Sequence, residues 1–219
     1  MSAVHRDSAG RRLVDYPRPS VAVDTAVLSI DPERRLAVVQ VRRPGGGAWW
    51  ALPGTFLHEG ERLVDAVRRS LRDKAGIEGL RPRQLHVFDD PRRDDRGWVV
   101  SVAHLDVVPA HRLAGILGER VRLAPAQRPG RLPYDHAEIV RIAAADLRAR
   151  YAAAPDPGGL LPERFTLRAL RSVHEAVAGC ALQRDTFRRS MQAQLVATGE
   201  STSGQRGRPA ELFTRAAGR

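Results

Sequence analysis

At 219 residues, 42% of them hydrophobic, the chain has room for one large or two small domains, each with its own core. A single cysteine, Cys180, excludes an intrachain disulfide framework and suits a reducing compartment, and no apolar run reaches the roughly 18 residues that a membrane-crossing helix needs. The net charge of +11 favours a polyanion, but every basic residue except Lys74 is arginine, and so skewed a composition also follows from genome composition, so charge alone names no partner. With residues 1–20 too polar for a signal peptide, the expectation is a soluble protein of the cytoplasm with no membrane partner.

Residues 1–17 are polar and read as a flexible arm. Residues 21–30 and 36–41 are dominated by β-branched side chains around the turn formers Asp31, Pro32 and Glu33, which predicts a hairpin. Residues 43–54 are glycine-rich, carry Trp49 and Trp50, and lead as a loop into LPGTFLHEGERLVDAVRRSLRDKAGI, residues 52–77. Inside that run Leu63, Val67 and Leu71 recur at i, i+4 and i+8, so residues 62–75 are predicted as a helix stopped by Gly76. Strand character returns at 84–88 and 98–108, around the charged loop DDPRRDDRG. Residues 111–134 read as irregular, and 134–151 as a helix with Ile139, Ile142, Ala143 and Leu147 on one side. Strands flanking helices predict an α/β/α sandwich on a mixed sheet over residues 18–151. The composition of 152–159, AAAPDPGG, is that of a linker.

A second unit is predicted over 160–219. Thr166 is placed as the N-cap of a helix with Leu167, Leu170, Val173 and Val177 inward and a stop at Gly179. Asp185 is placed as the cap of a following helix, on which Phe187, Met191 and Leu195 form one stripe while Arg188, Arg189 and Gln192 point the other way. LVATGE and AELFTR then pair as strands around a loop tipped by Arg206 and Arg208. Helix, turn, helix and hairpin make a winged helix-turn-helix, and this unit carries ten Arg against five acids. Arginine on the second helix can reach guanine edges and Gln192 adenine, while wing arginines suit phosphates or the minor groove. Double-stranded DNA is therefore the expected partner, with Arg188, Arg189, Gln192, Arg206 and Arg208 as contacts.

Residues 52–77 resemble the Nudix box, which runs glycine, five residues, Glu, seven residues, Arg-Glu, two residues, Glu-Glu, one residue, Gly and an aliphatic. Glu61, Arg69, Gly76 and Ile77 fall on their slots, Thr55 takes that of the opening glycine, and the three metal-binding glutamates are read as Ser70, Asp73 and Lys74. The resemblance implies a magnesium-dependent cleavage of diphosphates, and magnesium demands hard oxygen ligands. The spacing i, i+3, i+4 sets the three slots on one helical face, whose charge here falls from minus three to zero. No catalytic residue and no metal ligand is assigned, magnesium binding is expected to be weak or absent, and Lys74 can hold a diphosphate as a point charge. Ligand binding is assigned to Trp49, Trp50, Glu59, Glu61, Arg69, Asp73 and Lys74. The bland readings stay open beside these: the tryptophans as core, Glu61 with Arg69 as a structural ion pair, Asp73 with Glu59 and Glu61 still collecting one metal, Cys180 as a small packing residue, and His58, His104, His136 and His174 without the spacing of a metal cluster.

The degenerate box together with LLPERFTLRALRSVHEAVAG, RDTFRRSM, TGE and GRPAELF resembles the Nudix-related transcriptional regulators of NAD metabolism, the NrtR type, from about residue 21 onward. The resemblance implies a homodimeric repressor that binds operator DNA, with Arg184 joining Arg188, Arg189, Arg206 and Arg208 as matches to the family's basic recognition helix and wing, needs no cofactor, and senses ADP-ribose or a related NAD-derived nucleotide. A pyrophosphatase with an appended basic domain is the competing expectation.

Overall fold

The computed structural model describes residues 5–43, 50–202 and 209–216. Trp49, Arg206 and Arg208 lie outside the described residues. Residues 5–18 are exposed throughout.

Strands β1 (Ser20–Ile30) and β2 (Leu36–Arg42) form the predicted hairpin, with Leu28 opposite Val38. Along β1 the side chains alternate between two clusters, Val23 and Val27 in one, Ala26 and Leu28 in the other. A strand apolar on both faces must be covered on both, and that requirement gives three layers. Beyond β3 (Trp50–Ala51) and β4 (Gly54–Phe56), helix α1 (Leu63–Ser70) places Ala66 and Val67 over the first face. After β5 (Arg83–Phe88), β6 (Val99–Val107) and β7 (Val121–Pro125), helix α2 (His136–Ala153) places Ile139, Val140, Ala143, Ala144 and Leu147 over the second. The sheet runs β3-β2-β1-β6-β5, with β4 paired to β1 and β7 to β2, and is mixed because β1 and β6 are parallel and the other pairs antiparallel. Among the described residues no helix is long and apolar enough to cross a membrane.

Two details depart from expectation in this half. Residues 111–134 are not irregular throughout, since β7 pairs along β2 with Arg122 opposite Gln40. The predicted helix over 62–75 changes hydrogen bonding after Ser70 and finishes as a π turn over Leu71–Ala75 before Gly76 closes it at φ 65°.

The C-terminal unit comprises β8 (Phe165–Thr166), α3 (Leu167–Ala178), α4 (Arg184–Met191), β9 (Leu195–Ser201) and β10 (Glu211–Arg215), with sheet order β8-β10-β9. The Thr166 hydroxyl accepts from the Ala169 N–H at 3.1 Å, as a cap should, and Gly179 ends α3 at φ 78°. The cap of α4 is Gln183, whose side chain accepts from Thr186 N–H at 2.6 Å, while Asp185 sits inside the first turn. Leu195 opens β9 and does not extend the α4 stripe. Phe165, Leu170, Phe187 and Met191 make the small core. Cys180, expected to pack, is exposed.

The two halves share buried surface. Val177 of α3 belongs to the α2 cluster, and Arg148 of α2 donates to the Val177 carbonyl at 3.0 Å. Residues 152–159, linker-like in composition, are tied down at Asp156, which is 1% exposed. Its carboxylate accepts from the Tyr151 hydroxyl at 2.5 Å, from the N–H of Leu160 and of Leu161 at 2.9 Å each, and from Arg215 of β10. The Asp156 N–H donates to His174 Nε2 at 3.3 Å, and the His174 ring packs edge-on between Tyr151 and Phe187.

Burial holds His174 down to about 4, against an ordinary 6.5, with Asp156 and the Tyr151 backbone pulling the other way. Between those values the unfolded chain takes up a proton that the folded chain refuses, so stability declines as pH falls from about 6.5 to about 4, by up to about 3 kcal/mol. His174→Gln keeps an acceptor without titrating and is expected to flatten the thermal midpoint against pH across that window. An unchanged slope would place the proton-linked group elsewhere.

Candidate ligand cavity and DNA-facing helix

A cavity of about 350 Å³ opens where β1, β4, the π turn, the loop before β6 and the start of α2 converge. Its floor is Asp24, a lone acid in an apolar strand. A Cβ on Gly54 would lie 1.9 Å from Asp24 Oδ1, so β4 can pair against β1 here only with glycine. The Ser101 hydroxyl donates to Asp24 Oδ2 at 2.6 Å. The Leu52 N–H donates to His136 Nδ1 at 2.9 Å, which leaves the ring proton on Nε2, 3.2 Å from Asp24 Oδ1. Burial pushes the Asp24 carboxyl up, but His136, Ser101 and Arg93 together hold it below the ordinary carboxylate value.

Around that floor the walls are cationic. Arg42, Arg43, Lys74, Arg93, Arg96 and Arg120 line the cavity against the carboxylates Asp24, Asp73 and Asp94. The Arg96 guanidinium lies 5.0 Å from the Phe56 ring centre and 4.8 Å from that of Tyr134, and it is anchored on Asp94 at 2.6 Å. The Arg93 side chain is 2% exposed and bonds Asp135 through Nε at 2.6 Å, while its buried Nη2 has no hydrogen-bond partner among the described residues. The Lys74 ammonium donates to the Gly54 carbonyl. Its partial burial holds its pKa below the usual value; Asp24 opposes that, and Arg69, Arg43 and Arg96 reinforce it.

Of the residues assigned from sequence, Asp73 and Lys74 line the cavity. Trp50 instead packs on Arg122, with the guanidinium 4.1 Å from its ring centre. Glu61 and Arg69 form a two-pronged pair at 2.8 Å for each contact, and Arg69 also donates to Thr55 Oγ1 at 3.2 Å and the Phe56 carbonyl at 3.0 Å. Arg69 and the His58 N–H hold Glu61 down to about 2, and the pair pins the loop to the helix outside the cavity lining. Glu59 is exposed and also outside the lining. Ser70 is 1% exposed, its hydroxyl without a partner among the described residues, while Asp73 pairs with its neighbour Arg72 at 2.9 Å.

This donor set does not fit magnesium. Among the described residues no three His, Cys, Asp or Glu converge as a metal group, and a divalent ion beside Lys74 would be repelled by several kcal/mol even at the effective dielectric of a protein surface. What the cavity does favour is an anion with aromatic edges nearby. Asp24, Arg93, Arg96, Tyr134 and His136 were not assigned from sequence. The available signals were the single acid inside VAVDTAVLSI, the arginines of DDPRRDDRG, and the polar run Tyr134-Asp135-His136 ahead of an apolar helix.

On the other half, α4 exposes Arg184, Arg188 and Arg189, and the turn after it exposes Gln192. Arg184, Arg188 and Gln192 follow one another at i, i+4 and i+8, while Phe187 and Met191 anchor the helix to the core. None of the three arginines has an ion-pair partner among the described residues. The hairpin of β9 and β10 is closed as far as Thr202, whose N–H donates to the Ala210 carbonyl at 2.8 Å.

Comparison with known proteins matches residues 21–154 to the NUDIX domain and 157–214 to the NrtR DNA-binding winged helix domain. The ADPR responsive transcriptional repressor NtrR of Acinetobacter baylyi is 30% identical over 211 residues, covering 91% of this chain and 83% of the relative. An ADP-ribose pyrophosphatase of Methanocaldococcus jannaschii is 28% identical over 127 residues, covering 58% of this chain and 73% of that protein. Among solved structures, Shewanella oneidensis NrtR complexed with a 27mer DNA superposes with a TM-score of 0.73 at 29% identity, covering 89% of this chain and 93% of that one. The chain belongs to the NrtR family, in which a Nudix domain is joined to a DNA-binding winged helix domain.

Proposed function

We propose that the protein is a transcriptional repressor of the cytoplasm that binds operator DNA as a homodimer and changes its affinity when ADP-ribose, or a related NAD-derived nucleotide, fills the cavity. Residues 18–151 form the sensing part and 160–219 the DNA-binding part. The observation that carries this reading is a cationic Nudix cavity that, among the described residues, lacks a magnesium-binding carboxylate cluster, on the same chain as a winged helix whose α4 presents three arginines with no ion-pair partner among the described residues. The relatives support it: one is named as an ADPR responsive repressor, and the Shewanella structure is a complex with DNA. Arg184, Arg188, Arg189 and Gln192 meet the major groove, and Arg206 and Arg208 the phosphates or the minor groove. In the cavity, Arg43, Arg96 and Lys74 hold the diphosphate, and Phe56 and Tyr134 flank the nucleoside.

Arg188→Ala combined with Arg189→Ala is expected to weaken binding to duplexes selected from a random library by at least about tenfold and to relax the sequence preference at the base pairs they read. ADP-ribose affinity, measured by calorimetry, stays as it was. DNA binding that survives the double substitution would remove α4 as the recognition helix.

Incubation with ADP-ribose and magnesium is expected to release no AMP above background in a chromatographic assay. Turnover that tracks the protein through purification would restore the pyrophosphatase reading.

A further inference from the structure

We infer that Lys74 is a built-in counter-ion: its ammonium takes the role that a divalent cation plays in a Nudix hydrolase, so that a nucleoside diphosphate binds this cavity without any metal. The inference rests on the proposed nucleotide-sensing role and goes beyond it, to how the diphosphate charge is met. Lys74 occupies the slot of a metal-binding glutamate in the box. The π turn over Leu71–Ala75 carries it to the cavity rim, where it bonds the carbonyl of Gly54, the residue pressed against Asp24. A carboxylate at this slot would add negative charge to the rim and leave a diphosphate in need of a bridging ion. An ammonium supplies the opposite charge directly, with donors to spare after the Gly54 bond.

A second, independent feature points to an anion at the same place. The Arg93 side chain is 2% exposed, and its Nη2 is buried in the cavity wall with no hydrogen-bond partner among the described residues, 3.9 Å from Asp24. A buried donor of that kind is costly when left unmet, and a phosphoryl oxygen satisfies it. Lys74 and Arg93 then grip the diphosphate from two sides, with Arg96 held ready between Phe56 and Tyr134.

Calorimetric titrations of the full-length protein test this with two probes, inorganic pyrophosphate and ADP-ribose, each in EDTA and in magnesium. Wild-type affinity for both is expected to be the same in the two buffers. Lys74→Ala is expected to lose about 10- to 100-fold for both probes. Lys74→Glu is expected to lose more in EDTA and to regain part of it in magnesium, while Lys74→Arg retains most of the binding. Thermal midpoints close to wild type for the three variants exclude unfolding as the cause, since Lys74 is at the surface. Pyrophosphate binding that requires magnesium in the wild type, or that is indifferent to Lys74→Ala, overturns the inference. Binding of pyrophosphate but not of ADP-ribose, with the Lys74 dependence intact, leaves the counter-ion standing and removes the proposed effector.

Discussion

A carboxylate taken out of water must be met by donors on nearly every side, and of the four aspartates buried among the described residues two lie at opposite ends of one helix. Asp24 lies at the N-terminal end of α2, held by His136 and Ser101; Asp156 lies just past its C-terminal end, held by Tyr151, Arg215 and the N–H groups of Leu160 and Leu161. Leaving either unpaired costs several kcal/mol, so each fixes the geometry of whatever touches it. Asp24 fixes Gly54, and with it the approach of the box to the sheet. Asp156 fixes where the winged helix starts, because the two N–H groups it receives belong to the first residues after the connection. The helix between them is anchored at both ends and is packed along its length by Ile139, Ala143 and Leu147.

That arrangement decides how occupancy of the cavity can reach the DNA-facing side. Eighteen helical residues span about 27 Å, whereas charges exposed to physiological salt are screened beyond about 8 Å. A diphosphate in the cavity therefore has no direct electrostatic influence on arginines of α4. Displacement of a rigid element is left as the route. In the proposed reading the ligand meets Arg93 and the Asp24 neighbourhood, Arg93 is bonded to Asp135 at the head of α2, and Tyr151 at its tail is bonded to Asp156, which holds β10 through Arg215 and the chain ahead of β8 through Leu160 and Leu161. Coupling then requires the ligand to favour one setting of α2 over another, since only differential affinity shifts an equilibrium.

Much of the architecture was legible in the sequence because it is written in short-range periodicity. The hairpin, the stripe of Val67 and Leu71, the Thr166 cap and the Gly179 stop each depend on residues a few positions apart. β7 was not legible: it is five residues long, interrupted by Arg122, and stabilised by pairing with β2, far away in the chain. Asp185 beats Gln183 as a cap by intrinsic preference, yet the helix begins two residues earlier than that preference implies. The site was half legible for the same reason. The box identifies its slots by spacing, which singles out Asp73 and Lys74 of the cavity lining, but Asp24, Arg93 and the pair Tyr134 and His136 come from three separate segments, and only the fold brings them together. Trp50 shows the reverse error, an aromatic beside the box whose ring is taken by Arg122.

The substitutions in the box also carry a structural logic that sequence spacing hides. Three glutamates on one face repel one another and persist in a hydrolase because a cation binds them; without the cation the cluster is a liability. Here the first slot has gone into the core as Ser70, the second pairs with its neighbour Arg72, and the third has reversed its sign. The Glu61 and Arg69 pair, which ties the loop to the helix and needs no metal, is kept. What is retained is what holds the cavity in shape, and what is lost is what would anchor an ion in it. In the proposed reading side chains alone balance the charge of the ligand, so a nucleotide that is not cleaved stays in place and can bias the helix beneath it.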